Sequence, residues 1–162
     1  MEIERKFAVN ILPGNLEQYE CKKIEQGYLC HNPILRIRKS NDIFYLTYKS
    51  KKGIEKREGK SAIVNHEVEL PLTEEAYYDL KQKTDGNMVC KTRYLIPLES
   101  GLTVELDIFE GRLKGLVFAE VEFPNVLDAD NFTPPSWLGK DISTDRRFSN
   151  HYLSQLENPP VI

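Results

Sequence analysis

Six short stretches each carry two like charges two residues apart: Glu2 and Glu4, Arg36 and Arg38, Glu67 and Glu69, Lys91 and Arg93, Glu105 and Asp107, Glu120 and Glu122. Successive side chains of a strand point to opposite faces, so each pair shares one face of its strand. The residues between and beside them, including Leu35, Ile37, Val68, Leu70, Val104, Leu106, Ile108, Val121 and Phe123, supply an apolar second face. One such pair is ordinary surface chemistry, because an antiparallel sheet commonly turns one face to a core and the other to water. Six are not, because like charges that close repel unless something of opposite sign binds between them. The arrangement that answers this is a sheet curled into a closed barrel, with the charged face lining the lumen and the apolar face outward under helices. About eight strands enclose a lumen just wide enough for side chains or one small ligand.

Such a lumen collects eight acids (Glu2, Glu4, Glu67, Glu69, Glu105, Asp107, Glu120, Glu122) and six bases (Lys6, Arg36, Arg38, Lys49, Lys91, Arg93). Isolated buried carboxylates are costly and require cations. Clustered hard oxygens suit Mg²⁺ or Mn²⁺, while arginine forks suit phosphate oxygens. A metal-bound oligophosphate satisfies both sets. The net charge of −3 makes nucleic acid and anionic membranes poor partners, so an anionic ligand has to be attracted by local placement. Three cysteines without a CxxC pair predict neither a disulfide framework nor a thiolate zinc site, which fits a reducing cytoplasm. No signal-like start and no apolar run of about 18 residues is present, so neither export nor membrane spanning is expected.

The chain, at 162 residues, reads as a single domain over 1–162. Residues 34–50 read as a hairpin turning at SND; AIVNHEVELPL reads as a strand stopped at Pro71. Thr73 caps a helix running to about Thr84, with Gly86 after its end. VCKTRYLIPL, LTVELDIFEG and VFAEVEFP read as a meander of three strands, and DADNF to Pro135 as a short helix or loop. From Thr144, Phe148, Tyr152 and Leu156 recur at helical spacing and predict an amphipathic C-terminal helix whose apolar side faces the core. The three histidines lack metal-ligand spacing, and Trp137 reads as a packing anchor.

The order of motifs resembles the CYTH superfamily, the triphosphate tunnel metalloenzymes: ExExK in MEIERKF, then QGYL, LRIR, TYKS, HEVEL, KTRY, ELDIF, EVEF and DRRFSN, spanning nearly the whole chain. The resemblance implies a mainly β (α+β) fold, a closed eight-stranded antiparallel tunnel with flanking helices and a C-terminal helix. It is nearest to the short bacterial enzymes that hydrolyse inorganic tripolyphosphate. By position it makes Lys6, Arg36, Arg38, Lys91 and Arg93 phosphate-binding, with Arg147 closing one mouth. It makes Glu2, Glu4, Asp107, Glu120 and Glu122 metal ligands or water-positioners, with Glu67, Glu69 and Glu105 as further candidates. Lys49 and Tyr28 match a pair near the terminal phosphate, where neighbouring arginines would lower the Lys49 pKa and let it move a proton. A basic residue expected shortly before HEVEL is replaced by IVNH, leaving Lys56, Arg57 or Lys60 to fill that place. Class IV adenylate cyclase and thiamine triphosphatase are alternatives within the superfamily, and a polyphosphate-binding module is the non-enzymatic one.

Overall fold

The alternating stretches pair into nine antiparallel strands in the computed structural model, which describes residues 1–162: β1 (Glu2–Val9), β2 (Glu20–His31), β3 (Ile34–Ser40), β4 (Ile43–Ser50), β5 (Ile63–Leu72), β6 (Asp85–Pro97), β7 (Thr103–Phe109), β8 (Val117–Glu122) and β9 (Leu138–Asp141). Eight close into a barrel in the order β1-β5-β4-β3-β2-β6-β7-β8, because β1 pairs with β8 along one edge and with β5 through Glu2↔Asn65 and Glu4↔Ile63 along the other. Beyond that short pairing the free edge of β1 is taken by β9 at Phe7 and Val9. The four-residue β9 has too little alternation to be read as a strand from sequence.

Register decides which charges meet, since residues directly opposite each other share a face. Glu4 lies opposite Glu122, Lys6 opposite Glu120, Glu105 opposite Glu120, Arg93 opposite Asp107, Lys49 opposite Glu67, Gln26 opposite Arg38 and Tyr28 opposite Arg36. All of them belong to the lumen face. The outward face of β1, β6, β7 and β8 forms the main core with Ile3, Phe7, Val104, Leu106, Ala119 and Val121, against which Phe132 and Trp137 pack. Helix α2 (Val126–Asn131), capped by Asn125, buries Ala129 in that core. On the opposite wall α1 (Glu74–Lys81) is capped by Thr73 and buries Tyr77 beside Phe44. The outward residues Val68 and Leu70 remain uncovered, so the helices clothe only part of the apolar face. No helix is long and apolar enough to cross a membrane.

One end of the lumen is apolar. Val89, Phe109 and Phe118, on the lumen face, pack with Leu113 and Leu116 of the β7–β8 connection and with Phe148 and Leu153 near the C-terminus. The single C-terminal helix expected from the spacing of Phe148, Tyr152 and Leu156 is instead a 3-10 turn at Arg146–Phe148 followed by the short α3 (Asn150–Leu153). Ser149 breaks it: its extended backbone lets its hydroxyl accept from Tyr152 N at 3.2 Å, starting a new helix. Phe148 and Leu153 are buried, Leu156 packs partly buried against the same cluster, and Tyr152 is exposed. Two other boundaries move. Strand β5 continues through Pro71, which pairs with Tyr45 at a place where β5 has no second neighbour to need its missing N–H. Gly86 belongs to β6, with φ of 74°, and a side chain there would run into Ser154 and Gln155 of the C-terminal segment.

Candidate active site

A polar cavity of about 110 Å³ fills the charged part of the lumen, with no hydrophobic residue in its wall. Its cations are Arg36, Arg38, Lys49 and Arg93, and its anions are Glu2, Glu4, Glu67, Glu69, Glu105, Glu120 and Glu122, with Asn150 entering from the C-terminal segment. Glu69 also borders an outer cleft of about 590 Å³ with Glu20, Lys22 and Tyr45, which marks the open mouth at the end opposite the apolar plug.

The ion pairs divide these charges into two classes. Asp107, fully buried, accepts from Lys91 Nζ at 2.6 Å and from Arg93 Nε and Nη2 at 2.7 and 2.8 Å. Glu120 lies 3.3 Å from Lys6 Nζ and accepts from Arg93 Nη2 at 3.2 Å, and Glu105 also bonds Arg93. Burial opposes their charge, yet Arg93 and Lys91 hold Asp107 below the usual carboxylate range, and Lys6, Arg93 and Lys91 hold Glu120 well below it. Lys49 spans Glu2 at 2.8 Å and Glu67 at 3.2 Å. Although burial opposes its charge, the surrounding Glu4, Glu2 and Glu67 raise the Lys49 pKa. The lowering expected from neighbouring arginines is thus overturned by three carboxylates.

The second class lacks opposite partners. Arg36 and Arg38 are buried and form no ion pair: Arg36 Nη2 donates to Thr47 Oγ1 at 3.3 Å, its Nε is unpartnered, and Arg38 is held by Gln26 and Tyr45. Facing them are Glu4 and Glu122, opposite each other across β1 and β8 and likewise without an ion pair. Burial pushes Glu4 up to about 7, helped by Glu120; burial also raises Glu2 to about 7, and raises Glu122 with help from Glu2. The site therefore offers two uncompensated guanidinium groups and a separate group of uncompensated carboxylates, a matched demand for an anion and a cation together.

Several candidate residues lie away from the cavity wall. Lys6 Nζ donates to Phe148 O at 2.8 Å and Lys91 is spent on Asp107. Tyr28 is buried beside the stacked rings of His31 and His151, whose centroids are 3.8 Å apart. Arg147 faces solvent and bonds Asp145, so it does not reach the tunnel; Asn150, three residues on, does. Arg57 pairs with Asp130 of α2 at 2.7 Å, Lys60 lies 3.8 Å from the same carboxylate, and Lys56 is exposed, so the 51–62 loop supplies no cation to the lumen. The sequence reading missed Gln26, Thr47 and Asn150; strand parity with Tyr28 and Lys49 was available for the first two.

Comparison with known proteins gives a consistent picture. No protein-family model matches the chain. It is 34% identical over 156 residues to the inorganic triphosphatase of Nitrosomonas europaea, covering 94% of this chain and 96% of that protein. It is 34% identical over 163 residues to the inorganic triphosphatase of Acetivibrio thermocellus, covering 98% and 94%. The crystal structure of the inorganic triphosphatase NE1496 superposes with a TM-score of 0.68 at 32% identity, over 99% of this chain and 97% of that one. The PH1012 protein from Pyrococcus horikoshii OT3 shares the fold at a TM-score of 0.56 and 24% identity, over 79% of this chain and 82% of that one.

Proposed function

The chain belongs to the CYTH-type inorganic triphosphatases, and from that premise we propose that its tunnel hydrolyses inorganic tripolyphosphate to pyrophosphate and phosphate with a divalent metal bound among its free carboxylates. The observation that carries this reading is the pairing of two unneutralised arginines with unneutralised glutamates in one small, wholly polar cavity. A single ion satisfies only half of that site; a metal–phosphate complex satisfies both halves.

Arg36 and Arg38 bind nonbridging phosphate oxygens as planar forks and align the chain of phosphates. Arg93, locked by three carboxylates, has its charge largely neutralised and fixes the wall beside them. Lys49, kept protonated by its acidic neighbours, is suited to neutralise charge on the leaving group and not to accept the proton of the attacking water. A carboxylate of the cavity wall that the metal leaves free orients that water and takes up its proton.

The metal fits Glu4 and Glu122, hard oxygen donors without an ion-pair partner, with Glu2, which shares one oxygen with Lys49, beside them. No three acidic or histidine side chains enclose an ion by themselves. That suits Mg²⁺ or Mn²⁺ held by one or two carboxylates and completed by substrate phosphates and water. When bound, the metal supplies charge neutralisation at the phosphoryl oxygens. Phosphate release from tripolyphosphate, measured with Mg²⁺, with Mn²⁺ and in EDTA, tests the reading. Turnover with a divalent ion and none in EDTA is expected; absence of turnover with either ion contradicts it.

A further inference from the structure

Arg38 and Arg93 occupy the same lumen but are held in opposite ways. The guanidinium of Arg93 is gripped by Asp107, Glu105 and Glu120. That of Arg38 is gripped on one side by a single neutral oxygen: Gln26 Oε1 accepts from Nε at 2.9 Å and from Nη2 at 2.6 Å. Gln26 is fully buried, and its Nε2 has no partner, so no carboxylate stands on the far side of the amide either. As a partner for a buried arginine, an amide is inferior to a glutamate of the same shape, which would make the same two bonds with charge assistance. What the amide preserves is the charge: a guanidinium in a bidentate carboxylate pair presents little net field, whereas one clasped by an amide keeps its full positive charge and a fixed orientation.

We propose that Gln26 is a positioning residue for substrate, one that orients the Arg38 fork while leaving its charge available to a phosphate group. Thr47, a neutral acceptor on Arg36, repeats the device on the neighbouring guanidinium. Together they serve a stretch of cavity wall on β3 and β4 that carries no acid, in a lumen otherwise crowded with carboxylates. The inference rests on the tripolyphosphate reading above.

Two substitutions separate this role from a merely structural one. Gln26→Glu satisfies Arg38 but neutralises it; Gln26→Met leaves Arg38 charged but unheld. A structural role predicts that the Met variant is the worse of the two in every respect. The positioning role predicts a crossing: Gln26→Glu keeps or raises Tm and loses about 10- to 100-fold in kcat/KM for tripolyphosphate, mainly through KM, the worth of one charge-assisted contact. Gln26→Met loses Tm and loses less in kcat/KM. A Gln26→Glu variant with the parent KM, one less damaging than Gln26→Met, or one that does not fold overturns the inference. A parent protein inactive on tripolyphosphate overturns the functional reading instead.

Discussion

Asp107 and Glu122 are both acids of the lumen face, and their surroundings assign them different work. Asp107 has three hydrogen bonds from two cations and no exposure, so it holds Lys91 and Arg93 in place. Glu122 has no cation and faces Glu4. Breaking one member of a buried ion network leaves uncompensated charge, at a cost of about 3–5 kcal/mol. Asp107→Asn is therefore expected to lower the denaturant midpoint sharply. Glu122→Ala is expected to leave stability unchanged or slightly raised, through relief of repulsion with Glu4, while raising the metal concentration needed for half-maximal activity. Chemical denaturation and metal titration of the two variants check this; a metal curve for Glu122→Ala that matches the parent removes that residue from the metal site. Sequence could place both acids on the lumen face, because that follows from a period of two. It could not tell them apart, because pairing depends on register between strands far apart in the chain, such as Arg93 opposite Asp107.

Among the elements, the C-terminal segment was the least legible. Its apolar spacing fits a helix, yet Ser149 divides it and redirects Asn150 into the cavity. The hairpin of β3 and β4, helix α1 and the meander of β6 to β8 agree with their sequence signals because alternation, turn residues and the Thr73 cap are all local. The segment is held at Gly86, by Asn87 N donating to Ser154 O at 2.8 Å, and by His151 stacked on His31. The groups facing His151 are His31, Tyr28 and Asp85; Asp85 binds His31 Nε2 at 2.9 Å. Burial and the neighbouring His31 lower the His151 pKa from its ordinary 6.5. A histidine of lowered pKa favours docking fully above 6.5, and docking weakens as the pH falls below that value, where only the undocked ring protonates readily. Hydrogen exchange of the 150–154 amides, corrected for intrinsic rates, should therefore show less protection at pH 5.5 than at pH 7.5. A His151→Phe variant should lose that difference, and equal protection of the parent at both pH values would remove His151 as its cause.

At the scale of the whole molecule, a chain of net charge −3 concentrates an anion-binding site by closing its sheet on itself. One end of the resulting tunnel is stopped by Phe109, Phe118 and Phe148, and the other opens at Glu69 and Tyr45. A bare triphosphate can place every phosphate against a charged wall. A nucleoside on the third phosphate removes one charge and has to remain at the mouth, where Glu20 and Glu69 stand beside Lys22. A preference of about tenfold needs only about 1.4 kcal/mol of differential transition-state binding. The most direct measurement is kcat/KM for tripolyphosphate and for ATP on the intact protein under one metal concentration. A value for tripolyphosphate at least about tenfold the higher is expected on these grounds. Comparable efficiency on the two, or cyclic AMP formed from ATP, would contradict a tunnel built for bare triphosphate.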